Sequence, residues 1–153
     1  MYLKSLAAAA MAALAIILAV PARAEELAAN WLFILDAGSM SFDGTTLTLD
    51  AVAADALAFT DRPYRLARNI PIEAFVAIWQ GADFGGEPPN AGINGFVDGA
   101  AISSVVELSD PRFEGAKLVF TATLVEGDVP SAAADVSVFV DAFPTAVNDQ
   151  ITD

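Results

Sequence analysis

Cysteine and histidine are both absent from the 153-residue sequence. Without cysteine there are no disulfides, so hydrophobic burial must hold the fold together. Without histidine the chain lacks the commonest general base and the commonest transition-metal ligand. The two absences exclude Ser-His-Asp and Cys-His catalysis, as well as ordinary zinc and copper sites. An enzyme built on this sequence would have to use paired carboxylates, as glycosidases do.

Basic residues are scarce: 7 Lys and Arg stand against 20 Asp and Glu, which gives a net charge of −13 at pH 7. Nucleic-acid phosphates and anionic lipid headgroups are bound by clustered Lys and Arg. An acidic surface repels both, so we expect no nucleic-acid partner. The same acidity suits a divalent cation such as calcium, which takes oxygen ligands.

Residues 1–24 have the pattern of a cleavable secretory signal peptide. Lys4 gives a short positive start, Leu6–Val20 is an uncharged apolar run, and Ala22-Arg23-Ala24 is a small-x-small cleavage site. The run of 15 residues is shorter than the ~20 needed to span a bilayer. We therefore expect export to the periplasm or the medium, without membrane insertion after cleavage. Loss of the segment leaves 5 basic against 20 acidic residues, a net charge of −15.

The rest of the chain is short enough for one domain. We predict a β-rich domain over residues 25–143 and a frayed tail over residues 144–153. Alternating or continuous apolar runs predict about seven strands in the domain. They are 31–35, 40–42, 47–49, 57–60, 102–108, 117–125 and 136–140.

The clearest of these predictions is a hairpin around Asp43-Gly44. This dipeptide suits a two-residue type I′ turn, in which both central residues need positive φ. Pairing Phe42 with Thr45 across the turn places Met40 opposite Leu47 on one face of the sheet.

One short helix is predicted among the strands. Four apolar residues fall at positions i, i+3, i+4 and i+7 and so share one helix face: Ile72, Phe75, Val76 and Trp79. Pro71 suits the first turn of this helix, and Gly81 lies just past its end. So short a helix must be stabilised by packing rather than by helix propensity.

The segment from Gly81 to Gly99 is rich in Gly, Pro and Asn, so we expect no long helix or strand there. The many short strands favour an all-β fold over a parallel α/β fold. The leading architecture is an antiparallel β-sandwich of about seven strands with one short inserted helix. The alternative is a small, partly open β-barrel. The pattern leaves the strand order undetermined.

An arginine cluster holds three of the five basic residues that follow residue 24: Arg62, Arg65 and Arg68. A guanidinium presents a planar fork to carboxylate or phosphate, so the cluster is a candidate site for an anionic ligand. The alternative is pairing with the protein's own carboxylates. Their abundance favours pairing, with candidate partners at Asp61, Asp83 and Glu87.

Two aromatic residues, Trp79 and Phe84, stand at or beside the Gly81–Gly99 segment. Loops longer than about 12–15 residues in compact domains are usually functional or disordered. Aromatic side chains beside such a loop would form a platform for sugar rings or for peptide. The alternative places both side chains in the core, which the i+7 position of Trp79 favours.

Calcium is a further candidate ligand, since it takes six to eight oxygens from carboxylates and carbonyls. Acidic residues are predicted at strand ends or in loops at Asp43, Asp50, Asp83, Glu87, Asp98, Asp110 and Asp141. Their spacing is not that of an EF-hand loop. The pattern also does not distinguish a catalytic carboxylate pair from surface charge.

Several short motifs occur along the chain: Trp31-Leu32-Phe33, Leu47-Thr48-Leu49, Asp61-Arg62-Pro63-Tyr64-Arg65, Trp79, Pro88-Pro89-Asn90-Ala91 and Ser137-Val138-Phe139-Val140-Asp141. In these motifs the chain resembles a group of exported bacterial proteins of uncharacterised activity. The resemblance spans most of the chain after the signal peptide. It implies export, and it implies no particular activity, ligand or catalytic residue.

Clustered arginines, turn residues and a long Gly/Pro segment coincide between residues 61 and 99. The leading hypothesis is an exported, non-catalytic acidic β-sandwich that binds an extracytoplasmic ligand or protein through residues 61–99. Two alternatives stay open: a calcium-stabilised structural or cell-surface module, and a small carboxylate-dependent hydrolase. We expect no cofactor apart from calcium. The candidate ligand-binding residues are Arg62, Arg65, Trp79, Asp83, Phe84 and Asn90.

Overall fold

The computed structural model describes residues 30–84 and 86–141. The predicted signal peptide and the predicted C-terminal tail lie outside the described residues. The described chain forms eight strands and one helix. In chain order they are β1 (Trp31–Phe42), β2 (Thr46–Val52), β3 (Asp55–Thr60), β4 (Ala67–Pro71), α1 (Ile72–Gly81), β5 (Asn90–Val97), β6 (Ala100–Glu114), β7 (Lys117–Gly127) and β8 (Ala132–Val140).

Six of the strands close a barrel in the order β1-β2-β7-β6-β5-β8, with β8 pairing back to β1. All of the pairings are antiparallel. β3 and β4 extend the sheet outside this ring. The predicted all-β class with one short helix is confirmed. Because the sheet closes, the architecture is the small barrel predicted as the alternative, closed rather than partly open. It has eight strands against about seven predicted: residues 31–35 and 40–42 form the single strand β1, and β4 and β5 were not predicted.

The ring closes through β1, which has different partners on its two sides. On one side β8 pairs with Phe33–Ser41. On the other side β3 pairs with Trp31–Ile34 and β2 pairs with Ala37–Phe42. Register shifts mark bulges near Asp135 and Asp110, whose φ angles are 51° and 53°. Bulges bend a strand and increase its twist, which helps a sheet of few strands to close.

The core fills the barrel interior and the space beneath α1. Alternation along the strands directs every second side chain inward, and aromatic rings join the helix to the barrel wall. The ring centroids of Phe33 and Phe75 are 4.9 Å apart, those of Phe75 and Trp79 are 5.7 Å apart, and those of Trp79 and Phe120 are 5.5 Å apart. Fully buried residues from the strands include Trp31, Phe33, Leu35, Leu47, Leu49, Leu118, Phe120, Val138 and Val140.

The predicted helix is confirmed as α1, one residue longer than expected at its C-terminal end. Pro71 precedes its first turn, and the N–H of Ile72 donates to the carbonyl of Ala54 at 2.9 Å. Five of its side chains are buried, and full burial of a large apolar side chain stabilises by about 1.5–3 kcal/mol. Packing therefore holds this short helix in place. Within the described residues, no helix has the length and hydropathy to cross a membrane.

The predicted register of the first hairpin is wrong by two residues. Met40 pairs with Leu49 rather than with Leu47, and Phe42 pairs with Leu47. The turn is longer because a carboxylate oxygen of Asp43 accepts the N–H of Thr45 at 2.9 Å and that of Thr46 at 2.7 Å. Such a side-chain turn competes with the backbone type I′ turn. A shift of two residues keeps every side chain on its predicted face.

The prediction that no long element occupies residues 81–99 is also wrong, because β5 spans Asn90–Val97. Its Ala91, Ile93 and Gly95 point inward, where they are buried, so its glycines and asparagines do not break the strand. β5 ends in a true two-residue turn at Asp98-Gly99, with φ of 51° and 82°. These angles have the signs that a type I′ turn requires.

Candidate functional site

The arginine cluster lies at and just beyond the connection between β3 and β4. The side chains of Arg62, Arg65 and Arg68 are exposed. The expected pairing with Asp61 is wrong, because the Asp61 carboxylate instead accepts the backbone N–H of Arg62 at 2.7 Å. The guanidinium of Arg68 donates to the carbonyl of Ala67 at 2.9 Å.

The other proposed partners, Asp83 and Glu87, make no ion pair with the arginine cluster within the described residues. By contrast, Arg112 pairs with Asp110 at 3.1 Å, and Lys117 pairs with a carboxylate of β2 at 3.7 Å. Among the basic side chains in the described part of the chain, the three clustered arginines are those without a carboxylate partner. They are positioned to meet solvent or a ligand rather than to brace the fold.

Trp79 belongs to the core, as its helical spacing predicted. It is 4% exposed and contacts the rings of Phe75 and Phe120. Phe84 is half-buried, with its ring centroid 5.8 Å from that of Trp79. Phe84 therefore extends the aromatic stack beyond the C-terminal end of α1.

A groove of about 370 Å³ opens beside this end of α1, and we call it the helix-end groove. Its border includes Phe84, Pro88, Asp110 and Pro111. The side-chain amide of Gln80 donates to the carbonyl of Pro111 at 2.9 Å and joins the helix to β6. The proline rings and the half-buried ring of Phe84 give this groove an apolar surface, which continues the packing of the core.

The six candidate residues do not converge on one surface. Trp79 and Phe84 line the helix-end groove, whereas the described lining of that groove includes neither Arg62 nor Arg65. Asp83 is exposed directly after α1. Asn90 starts β5, where its carbonyl accepts the N–H of Asp141 at 3.0 Å, and it too lies outside that lining.

A larger groove of about 660 Å³ lies on the outside of the barrel, and we call it the outer-face groove. Side chains from five strands, β1, β8, β5, β6 and β7, border it. One line of directly paired, outward-facing residues crosses these strands, and we call it the outer row: Ile34, Phe139, Gly92, Val105 and Glu126. The groove thus depends on strand register rather than on any one segment.

Gly92 makes the hollow in the middle of the outer row. Apart from Gly92 itself and its two chain neighbours, no heavy atom lies within 4 Å of the position that a Cβ would occupy there. The ring of Phe139 stands on one side of this hollow and is 40% exposed. Phe59 supports that ring from β3 with an edge contact at a centroid distance of 6.0 Å. The result is an exposed aromatic surface beside an open depression.

A second line of outward-facing side chains runs parallel to the outer row, and we call it the polar row: Asp36, Ser137, Asn94 and Ser103. It lies two residues further along each strand, or about 7 Å away. The hydroxyl of Ser137 donates to the Asp36 carboxylate at 2.7 Å. The side-chain amide of Asn94 donates to the carbonyl of Ile102 at 3.4 Å.

Carboxylates are sparse in the outer-face groove, since Glu126 is the one ionisable residue in its described lining. Within residues 30–84 and 86–141, no three acidic side chains converge as a metal site would require. The calcium-stabilised module stays a prediction. A hydrolase with two carboxylates would need the pair within about 5–9.5 Å, and the groove's described lining supplies one.

Comparison with family models, curated proteins and solved structures gives no match. The candidate site therefore rests on its own geometry. Sequence patterns missed the outer-face groove because its residues are far apart along the chain. One signal was present: in β5, Gly92 and Asn94 alternate with the inward Ala91 and Ile93. A glycine inside a strand often marks a bulge, a tight bend of a barrel, or a place where a ligand or another backbone approaches closely.

Proposed function

We propose that the protein is an exported, non-catalytic binding module that holds an extracytoplasmic ligand in the outer-face groove. The observation that carries this proposal is the hollow above Gly92, flanked by the exposed ring of Phe139 and the polar row. Ligand sites typically combine an apolar surface with a few polar groups that set orientation. The groove includes part of the 61–99 region, since β5 supplies two of its central residues.

The apolar surface next to the groove supports the same proposal. Leu57 and Phe139 are each 40% exposed, and both pair with Ile34 across β1. Scattered exposed apolar residues are ordinary, whereas a contiguous patch indicates an interaction site. Covering this patch with a ligand removes apolar area from water at about 25 cal/mol per Å².

Two-dimensional ¹H–¹⁵N NMR tests the proposal directly. The mature protein is titrated with a library of soluble sugars, amines, fatty acids and short peptides. We expect at least one class to shift the amide signals of Gly92, Asn94 and Ser137. The variant Gly92→Val should lose these shifts because its side chain fills the hollow.

The matched control is Thr123→Val, which places the same side chain on an exposed position of β7 outside the groove lining. This variant should bind like the wild-type protein. The proposal is refuted if no class shifts the groove amides, or if Gly92→Val and Thr123→Val bind equally well.

A further inference from the structure

The chemistry of the two rows narrows the class of ligand, and this step rests on the function proposed above. The groove offers one aromatic ring and a set of small, uncharged hydrogen-bonding side chains: Ser137, Asn94 and Ser103. A ligand that matches them must present an apolar face to Phe139 and hydroxyl or amide groups along its edge. Pyranose rings have both features, because their C–H groups cluster on the ring faces and their hydroxyls project around the rim.

The length of the outer row favours a chain of sugar rings over a single ring as the ligand. From Ile34 to Val105 the outer row crosses four strands. At about 4.8 Å between neighbouring strands this distance is about 14 Å. The polar row follows the same direction, so an elongated ligand would contact both rows along its length.

Charge excludes an acidic polymer. The described lining contains Glu126 and no Lys or Arg, and the exposed carboxylate of Asp36 lies next to Ser137. The chain as a whole carries a net charge of −13. An anionic chain would therefore meet repulsion without a compensating cation.

Peptide addition to the sheet is also disfavoured. A peptide that adds as a strand needs a free sheet edge. At Gly92 and at Phe139 the backbone has strand neighbours on both sides, since β5 lies between β6 and β8 and β8 lies between β5 and β1. A purely apolar lipid chain would cover the polar row without hydrogen-bonding to it, and it would remove the charged carboxylate of Asp36 from water, which is costly without a compensating charge.

We infer that the ligand of the outer-face groove is a neutral oligosaccharide, with one sugar ring stacked on Phe139 above Gly92 and its hydroxyls bonded to Asn94 and Ser137. The occupant is thus a glycan without carboxylate, sulfate or phosphate groups. The arginine cluster, which lies outside the described lining of this groove, takes no part in holding it.

Titration calorimetry and NMR with defined probes test the inference. The probes are hexasaccharides of glucose, mannose and N-acetylglucosamine, with a galacturonate oligomer, spermidine and lauric acid as anionic, cationic and lipid comparators. We expect at least one neutral hexasaccharide to bind and to shift the amides of Gly92 and Asn94. The three comparators should not shift them.

Variants at Phe139 separate ring stacking from general apolar contact. Phe139→Leu keeps an apolar side chain without the flat ring, and we expect it to weaken binding at least about tenfold, or 1.4 kcal/mol. Phe139→Tyr keeps the aromatic ring, and we expect its affinity to lie within about threefold of that of the wild-type protein. Because Phe139 is an outward-facing residue with 40% exposure, both variants are expected to fold.

The outcomes distinguish the inference from the function on which it rests. If spermidine, lauric acid or the galacturonate oligomer shifts the groove amides and the neutral sugars do not, the oligosaccharide inference is overturned and the binding function stands. If no probe and no member of the wider library shifts them, both are overturned. Equal binding by Phe139→Leu and Phe139→Tyr also overturns the stacking geometry.

Discussion

Replacing Gly92 by valine should stabilise the protein while it blocks the outer-face groove. Gly92 sits in β5 without a positive φ, and no heavy atom beyond its own and its two chain neighbours' lies within 4 Å of its missing Cβ. A side chain therefore fits there without strain. Replacing glycine at such a position gains about 0.4–1 kcal/mol because the unfolded chain loses freedom, and valine adds a favourable strand propensity. We expect a gain of about 1 kcal/mol and a rise in Tm of about 4 °C.

Gly95 in the same strand provides a matched comparison with the opposite expectation. It faces inward, and a Cβ there would lie 3.4 Å from Ala133 Cβ, Ala134 O and Val136 Cγ2. These contacts leave no room for the two methyl groups of valine. Overpacking a core costs about 1–3 kcal/mol, so Gly95→Val should lower the Tm by several degrees.

Differential scanning calorimetry and urea unfolding measure both variants. The contrast in sign between the two positions is the test, since residue type and strand are the same. A Gly92→Val protein as destabilised as Gly95→Val would refute the view that Gly92 opens a hollow to solvent. A stabilised Gly92→Val that still binds the wild-type ligand would instead locate the binding site elsewhere.

Three further predictions follow from individual contacts. Trp79→Ala should lower the free energy of unfolding by about 3–5 kcal/mol, and a urea titration showing a loss below about 1 kcal/mol would contradict its place in the aromatic core. Hydrogen bonds from the backbone N–H groups of the following turn residues lower the pKa of Asp43. Its carboxylate therefore contributes stability above the unfolded pKa of about 3.9, and that stability is lost as the pH falls through the lower folded pKa. Asp43→Asn should flatten this acid dependence in unfolding curves recorded from about pH 5 to about pH 2. Changing Arg62, Arg65 and Arg68 together to Gln should alter stability by less than about 0.5 kcal/mol in calorimetry, because these side chains are exposed and have no carboxylate partner. A larger loss would show that they brace the fold.

Two Asp-Gly pairs show where local patterns stop being decisive. Asp43-Gly44 and Asp98-Gly99 have the same sequence, and a type I′ turn forms only at the second within the described residues. At the first, the next two residues offer their N–H groups to the Asp43 side chain. Thr46 also starts a strand that pairs with β7. The neighbouring strand thus competes with the intrinsic preference of the dipeptide.

β5 shows the same limit for composition. Gly and Asn are poor strand formers, and their density predicted a loop. Burial of Ala91 and Ile93 between β6 and β8 overrides this propensity. The short β4 was not predicted because only one of its five residues, Ile70, is buried. Its sequence therefore has no alternation of apolar and polar residues to detect.

Sequence alone determined the features that depend on the spacing of apolar residues along the chain. These are an all-β chain, one helix from Ile72 onward, and the faces on which Met40 and Leu47 lie. These follow from the direction in which successive side chains leave the backbone. Tertiary structure decided the closure of the barrel and the position of the outer-face groove. Ile34 and Phe139 become neighbours through the pairing of β1 with β8. No local pattern encodes that register, because it depends on how the whole core packs.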